Sequence, residues 1–140
     1  MASLPIMPRH DLSPAEVSAI EDALHRSNVQ RSGFDDGEGL AFLVERDGEM
    51  VGAAEGYSWG GICEIRHLWV HEDLRGRGLG RDLMAEVIAE ARRRGCRQVL
   101  LSTYDFQAPA FYRRLGFEVV AQIPDKPLGH TEFVMRLRLT

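Results

Sequence analysis

The stretch Arg75–Gly80, with the sequence Arg-Gly-Arg-Gly-Leu-Gly, lies between two segments of different periodicity. It follows a strand-like run, Ile65–Val70, and precedes an amphipathic helical pattern that begins near Arg81. Glycines let the backbone approach a ligand and adopt positive φ, and the first amides of a helix have no partner within the helix. Because those amides, the helix dipole and the nearby arginines all attract anions, the stretch predicts a phosphate-binding loop.

The glycine spacing distinguishes this loop from two better-known phosphate sites. A P-loop closes with Gly-Lys followed by Ser or Thr, and no such triplet occurs in the chain. A dinucleotide-binding fingerprint needs a third glycine three residues after the second, whereas Gly76, Gly78 and Gly80 are spaced by two only. A glycine-rich turn that does no more than cap a helix is the remaining alternative.

Size and composition favour one soluble domain spanning residues 1–140. The chain has 44% hydrophobic and 27% charged residues, and it contains no apolar run as long as a membrane span. The N-terminal residues lack the basic start and apolar core of a secretion signal, so we expect a cytoplasmic protein. The net charge of −4, with its positive charges scattered or local, argues against a nucleic-acid-binding surface.

The two cysteines, Cys63 and Cys96, lack the spacing of metal ligands, and no metal is expected. Both lie next to strand-like segments, which favours buried structural thiols. The cluster Arg92–Arg94 comes at the end of a helical pattern, where cations suit the helix dipole, and it is interpreted as a solvated helix end.

Turn and capping signals predict the order of the elements. Ser13 and Glu16 form a capping box for a first helix over Pro14–Ser27, and Asp47-Gly48 indicates a tight hairpin. A strand, an amphipathic helix and a buried strand in succession predict a right-handed parallel crossover. The other predicted elements are strands at Leu40–Glu45, Met50–Tyr57, Ile62–Val70, Gln98–Tyr104, Phe117–Ile123 and Phe133–Leu139, and helices at Arg81–Arg94 and from Pro109 to about Leu115.

This order and two motifs resemble the GNAT superfamily of acyl-CoA-dependent N-acyltransferases. The family's loop signature has Arg or Gln, two residues, Gly, one residue, then Gly or Ala, which Arg75, Gly78 and Gly80 match. A second family motif is matched by Phe111–Phe117, about 30 residues later. The resemblance covers Leu40–Leu139 and implies an α/β (α+β) GNAT fold, a mostly antiparallel twisted sheet with one parallel β-α-β crossover and helices on both faces. Its first helical region is shorter than the two-helix version common in the family.

The resemblance implies that acetyl-CoA is the co-substrate and binds where the strand at Leu68–Val70 splays from the strand ending near Tyr104. Backbone groups of the first strand would pair with the pantetheine arm, and the loop amides would bind the pyrophosphate. The implied cofactor-binding residues are Leu68, Trp69, Val70, Arg75, Gly76, Arg77, Gly78, Leu79, Gly80, Arg81, Asp105, Ala108 and Tyr112.

The implied catalytic residues are a proton donor and a base. The family motif places Tyr112 beside the thioester sulfur as the donor, although a packing contact with Phe117 is also expected. Glu64 falls where some relatives carry a catalytic glutamate, while His67 and Glu55 are alternative bases.

Asp105 stands where many family members have Asn. It is expected to contact the acceptor amine or to cap the helix that begins at Pro109. The acceptor side is expected to include the loop Pro124–His130, together with aromatic residues that have core packing as their alternative role: Tyr57, Trp59, Trp69 and Phe106.

The expected function is acetyl transfer from acetyl-CoA to a primary amine by direct attack in a ternary complex. We expect the partner to be a small-molecule amine. No binding to nucleic acid or membrane is expected, and the protein could form a homodimer. Two alternatives stay open: an acyl-CoA-binding regulatory module without turnover, and an acetyltransferase that acts on a protein or aminoacyl-tRNA.

Overall fold

The structure is a computed structural model that describes residues 3–139. The chain divides into two compact units, of which the first ends at Asp35 and the second begins at Asp36. The expectation of one domain stays a prediction. Within residues 3–139, no helix is both long enough and apolar enough to cross a membrane.

The first unit contains helix α1 (Pro14–Ser32), which begins at the predicted capping box. The Ser13 hydroxyl accepts from the Glu16 amide, and the Glu16 carboxylate accepts from the Ser13 amide, each at 3.1 Å. The predicted end at Ser27 was wrong by five residues. The helix continues until Gly33, whose φ of 80° ends it in the left-handed conformation.

The second unit is built on a six-stranded sheet with the order β1-β2-β3-β4-β6-β5. All neighbouring strands are antiparallel except β3 and β4, which are parallel and connected through helix α2, so the predicted mixed sheet with one parallel crossover is confirmed. The elements are β1 (Glu38–Arg46), β2 (Glu49–Trp59), β3 (Ile62–Val70), α2 (Leu79–Arg93), β4 (Gln98–Tyr104), α3 (Pro109–Arg114), β5 (Glu118–Pro124) and β6 (Thr131–Arg138).

The hairpin between β1 and β2 forms at the predicted turn. Asp47 and Gly48 have φ values of 54° and 79°, and two successive positive φ angles are what a primed two-residue turn requires. The strands on either side pair as far as Glu38 with Ser58, with one register shift at which Val51 is the extra residue. The sequence signal Asp-Gly therefore fixes where the two strands turn, and the bulge sets the register beyond it.

A β-bulge interrupts the pairing of β2 with β3. Glu55 lies opposite His67 and Gly56 lies opposite Ile65, so Arg66 is the extra residue on β3. The strands approach closely here, because a Cβ atom built on Gly56 would lie 2.0 Å from the Glu64 carbonyl oxygen. Glycine is therefore required at position 56.

The parallel pairing of β3 with β4 is short. It comprises three residue pairs, from Ile62 with Gln98 to Glu64 with Leu100. Beyond these pairs the strands are no longer hydrogen-bonded to one another, while β4 continues to pair with β6 as far as Tyr104. This separation opens the middle of the sheet at the end where β3 runs into the glycine-rich loop.

Helix α2 supplies the main packing layer of this unit. Its apolar face is buried, and the core also includes side chains from β3, β4 and β6: Leu83, Met84, Val87, Ala91, Cys63, Ile65, Val99, Leu101 and Met135. Cys63 and Cys96 are buried free thiols, as expected. Burial raises the pKa of Cys63 to about 11, which keeps this thiol protonated at neutral pH.

Arg94 departs from the expected solvated helix end. Its side chain is only 16% exposed. The guanidinium donates to the carbonyl oxygens of Glu38 and Gly39, both at 3.0 Å, and to the Ser58 hydroxyl at 3.1 Å. It also donates to Glu90 on α2 at 2.8 Å. The interpretation was wrong because the carbonyl and hydroxyl acceptors lie far away in the sequence, at the start of β1 and the end of β2.

Candidate active site

The separation of β3 from β4 forms a cavity of about 1080 Å³. Its walls come from the second half of β3, the loop Arg75–Gly80, the start of α2, the end of β4 and helix α3. Four arginines line it, and no Asp or Glu of the described residues does: Arg66, Arg75, Arg81 and Arg114. The cavity therefore suits a ligand that is anionic at one end and apolar along its length.

The loop Arg75–Gly80 has the backbone that an anion site requires. Gly76 and Gly78 have φ values of 77° and 82°, and Gly78 precedes the first residue of α2, Leu79. The Arg75 guanidinium donates to the Val70 carbonyl at 3.1 Å and so holds the loop against the end of β3. Helix α2 begins two residues before the predicted Arg81, which places its first free amides inside the glycine-rich stretch.

Most of the residues expected to bind acetyl-CoA line this one cavity. Arg77 and Asp105 are the exceptions. The cavity walls also include residues for which the sequence predicted no role, among them Arg66, Ser102, Thr103, Gln107, Phe111 and Arg114. Phe111 and Arg114 lie within the second family motif, whereas no local signal in the sequence marked the other four.

Tyr112 lies on α3 and lines the cavity while remaining 8% exposed. Its ring packs edge-to-face against Phe111 and Phe117, with centroid distances of 5.1 and 5.7 Å, so the predicted contact with Phe117 is confirmed. Burial raises the pKa of Tyr112 to about 12. The hydroxyl therefore stays protonated at neutral pH, which a proton donor requires.

Glu64 lies on β3 but does not line the cavity. Its carboxylate accepts a hydrogen bond from the Tyr57 hydroxyl on β2 at 2.8 Å. This hydrogen bond, together with burial, raises the pKa of Tyr57. The carboxylate thus already has a protein partner, and the role of Glu64 as a base stays a prediction.

Glu55, Arg66 and His67 form a cluster at the β-bulge. The Glu55 carboxylate binds the Arg66 guanidinium through one oxygen and His67 Nδ1 through the other, the latter at 2.9 Å. The hydrogen bond with His67 lowers the pKa of Glu55, burial opposes it, and the hydrogen bond and charge of Arg66 add to the lowering. Regular strand alternation places Arg66 and His67 on opposite faces, so only the bulge explains why both reach one carboxylate.

Asp105 follows β4 and fixes the loop before β6. Its carboxylate contacts His130 Nδ1 and accepts from the Thr131 amide, both at 2.9 Å. The expectation that it caps α3 was wrong, because the residue before that helix is Ala108 and no side chain caps it. Contact with an acceptor amine stays a prediction for Asp105.

Two of the four aromatic residues expected on the acceptor side line the cavity, namely Trp69 and Phe106. Phe106 stacks on Tyr104 with a centroid distance of 5.1 Å and meets the His130 ring edge-to-face at 5.0 Å. Through His130, the loop Pro124–His130 is therefore attached to the cavity rim. Tyr57 and Trp59 lie outside the lining, on the part of β2 that pairs with the start of β3.

The described residues contain no group of three or more His, Cys, Asp or Glu side chains arranged to hold a metal ion. The chemistry available at the cavity is that of arginine charges, backbone amides, one neutral tyrosine and one histidine–carboxylate pair.

A family model and individual relatives of the chain indicate the same family. The acetyltransferase (GNAT) family model matches residues 8–117. The chain is 40% identical over 89 residues to blasticidin-S acetyltransferase of Streptomyces morookaense, which covers 63% of this chain and 65% of that protein. It is 32% identical over 115 residues to an acetyltransferase of Agrobacterium fabrum, with 81% and 84% covered. The chain thus spans about 65% of the length of the first of these relatives.

The fold has a close counterpart among solved structures. The crystal structure of an acetyltransferase from Bacillus cereus superimposes with a TM-score of 0.79 at 27% identity. The superposition covers 95% of this chain and 98% of that one. The likeness extends over nearly the whole of both chains.

Proposed function

Because the chain belongs to the acetyltransferase (GNAT) family, we propose that it transfers an acetyl group from acetyl-CoA to a primary amine by direct attack in a ternary complex. The observation that carries this proposal is the basic cavity between β3 and β4, with the glycine-rich loop at one end and Tyr112 in its wall. Acetyl-CoA has a matching shape, because it joins an anionic nucleotide to a long, uncharged thioester arm.

The residues of the cavity suit each part of acetyl-CoA. Amides at the start of α2 and the Arg81 guanidinium would bind the pyrophosphate. The separated part of β3 offers backbone groups that have no partner on β4, and an extended arm with amide groups can pair with them. The thioester would then lie near Tyr112.

The reaction requires two proton movements. An alkyl ammonium has a pKa of about 10.4, so the acceptor must lose a proton before its nitrogen attacks the thioester carbonyl. The new C–N bond forms as the C–S bond breaks, and the departing thiolate needs a proton, which Tyr112 supplies. The candidate bases are Glu64, His67 and Glu55.

We propose a small-molecule amine as the acceptor. Blasticidin-S acetyltransferase, with 40% identity over 89 residues, supports this choice, and blasticidin S is therefore the first compound to test. The net charge of −4 also suits a cationic acceptor. No broad basic surface that would favour nucleic acid is expected from the composition. Cytoplasmic location and a homodimer belong to the same proposal, for which cell fractionation and light scattering are the tests.

Two measurements test the proposed activity. Calorimetry with acetyl-CoA alone tests the co-substrate, and no binding at millimolar ligand contradicts the whole proposal. Thiol release with blasticidin S, aminoglycosides, amino acids and a lysine peptide then tests turnover. Binding without thiol release for any amine favours a regulatory module, and turnover of the lysine peptide alone favours a protein-modifying enzyme.

The Tyr112→Phe variant tests the proton donor. The change removes one hydroxyl and keeps the ring packing with Phe111 and Phe117. We expect kcat to fall by roughly 10²-fold, within the range typical of positioned proton transfer, while the affinity for acetyl-CoA stays the same. Steady-state kinetics and calorimetry measure the two effects. Full turnover by the variant at neutral pH removes Tyr112 from the mechanism.

A further inference from the structure

We propose that Glu55 is a positioning residue that holds His67 with its Nε2 lone pair available to take the proton of the acceptor amine. This inference deepens the proposed acetyl transfer and rests on it. It selects one base from the three candidates, and it gives Glu55 a role of its own on a neighbouring strand.

The hydrogen bond determines the tautomer of His67. An ionised carboxylate only accepts hydrogen bonds, so the contact of 2.9 Å between Glu55 and Nδ1 requires the proton to be on Nδ1. The neutral ring then carries its lone pair on Nε2, an atom that has no hydrogen-bond partner among residues 3–139. A ring held in this way can accept a proton at a defined atom.

The Glu55 carboxylate is itself held in place. Arg66 binds its second oxygen, and the Arg66 guanidinium also lies over the Tyr57 ring, 5.1 Å from the centroid. The bulge sets this arrangement, since it brings two consecutive side chains of β3 to one carboxylate on β2. Glu55 therefore has a fixed position and a compensated charge.

The surroundings of His67 favour it over Glu64 as the base. His67 lines the cavity and its side chain is 79% exposed, whereas Glu64 is outside the cavity and bound to Tyr57. Four charged side chains line the same cavity as His67, namely Arg66 from β3, Arg75 from the loop, Arg81 from α2 and Arg114 from α3. Among the described residues, Glu55 from β2 carries the one negative charge in direct contact with the His67 ring.

The proton balance is complete without another reactant. Nε2 takes one proton from the acceptor ammonium, which frees the nitrogen lone pair for attack on the thioester carbonyl. The imidazolium is stabilised by Glu55 and releases its proton to solvent, to which the ring is open. Because the Glu55–His67 pair is exposed, its contribution lies in orientation and charge, and its contribution to stability is small.

The first experiment measures the tautomer directly and needs no acceptor. Two-bond ¹H–¹⁵N NMR spectra of the full chain at pH 8 distinguish the two tautomers, and the His67 signals are identified by their loss in His67→Gln. We expect the Nδ1–H form in the wild type and in Glu55→Gln, whose carbonyl still accepts. In Glu55→Ala we expect a shift to the Nε2–H form, which free imidazole side chains prefer. Glu49→Ala, an exposed acid on the same strand, is the control without effect.

The second experiment measures the pH dependence of kcat with blasticidin S or another amine that the panel identifies. Glu55→Gln keeps a hydrogen-bond acceptor for the ring but removes the negative charge beside it, so we expect kcat to fall by about two- to five-fold at constant KM for acetyl-CoA. His67→Ala should lose roughly 10²-fold or more in kcat and regain activity with added imidazole, whereas exposed His25→Ala should match the wild type.

The two experiments separate the possible failures. An Nε2–H tautomer in the wild type, or no change in Glu55→Ala, overturns the positioning role. A wild-type enzyme that turns over while His67→Ala keeps its kcat and its acidic limb overturns His67 as the base and leaves the acetyl transfer intact. Absence of turnover by the wild type with every amine overturns the proposed function and with it the base, and the tautomer still decides the role of Glu55.

Discussion

Two arginines that are close together in the sequence differ in whether they line the cavity. Arg81 lines the cavity and Arg77 does not, although the two are four residues apart and carry the same charge. A Cβ atom built on Gly78 would lie 2.8 Å from the Arg81 guanidinium, so that glycine also makes room for this side chain. Arg81, at the start of α2, is therefore available to a ligand in the cavity, and Arg77 in the loop serves as an internal reference.

This difference predicts unequal effects on acetyl-CoA binding. Arg81→Ala removes a charged donor from the pyrophosphate end, and we expect the Kd for acetyl-CoA to rise by roughly ten-fold or more. Arg77→Ala removes the same charge from outside the cavity and should change the Kd by less than about two-fold at 0.15 M salt, where distant charges are screened. Calorimetry measures the Kd of both variants, and an equal loss of affinity in the two contradicts the placement of the pyrophosphate beside Arg81.

At the scale of elements, the bulge between β2 and β3 depends on the absence of a Cβ atom at Gly56. Gly56→Ala places a methyl group against the backbone of Glu64, which cannot move without disturbing β3. We expect a loss of roughly 2–4 kcal/mol in the free energy of unfolding, from overpacking and backbone strain. Urea denaturation provides the measurement.

Gly39 is a matched control for this substitution. It also lies in a strand, and a Cβ atom there would be 4.0 Å from its nearest neighbour, the Gly56 carbonyl oxygen. Gly39→Ala should therefore leave the free energy of unfolding within about 0.5 kcal/mol of the wild type. If the two variants are equally stable, the close approach at Gly56 is not what maintains the bulge.

The sequence predicted elements whose signals are local. Ser13 with Glu16 and Asp47 with Gly48 carry their structural meaning within a few residues, and both are confirmed. Local chemistry was sufficient for both. Tyr112 and most of the residues expected to bind the cofactor line one cavity, and their roles there stay predictions.

The contacts that the sequence did not predict join distant parts of the chain. The bulge at Arg66 depends on Gly56, ten residues earlier, and strand alternation alone predicts the wrong face for one of its neighbours. Asp105 contacts His130 on a later loop. The prediction that it caps α3 considered only its closeness in sequence to Pro109, and it was therefore wrong. Such pairs are determined by strand register, which a single sequence does not state.

At the scale of the second unit, Arg94 connects the end of α2 to β1 and β2. Arg94→Lys replaces a planar group with several donors by a single ammonium, which cannot satisfy the carbonyls of Glu38 and Gly39 together. We expect this variant to lose roughly 2–3 kcal/mol in the free energy of unfolding. Arg93→Lys is the control, because Arg93 shares Glu90 but is 60% exposed, and it should change stability by less than about 0.5 kcal/mol. Similar losses in both contradict the connecting role.

Burial of Cys63 predicts a dependence of stability on alkaline pH. The pKa of this thiol rises from 9.0 to about 11 in the folded chain. The contribution of the thiol to the free energy of unfolding is therefore fully present below pH 9 and is lost as the pH rises to 11. A shift of two units corresponds to roughly 2–3 kcal/mol. Tyr112 adds a loss of the same sign between pH 10 and 12.

Cys63→Ala tests this dependence. The variant starts from lower stability because it leaves a small cavity, but its free energy of unfolding should fall less steeply between pH 9 and 11 than that of the wild type. Urea denaturation at fixed pH values measures both curves. Parallel curves exclude Cys63 as the titrating group.

The short pairing of β3 with β4 divides the sheet into two three-stranded halves, β1-β2-β3 and β4-β6-β5. In the sheet they are joined by a backbone seam of three residue pairs at one end only, and α2 packs against strands of both halves. The two halves therefore diverge from these three pairs, and the gap between them at the other end is the cavity described above. We therefore expect a change in packing around Cys63 or Val99, far from the glycine-rich loop, to alter the distance between β3 and β4 along the whole cavity.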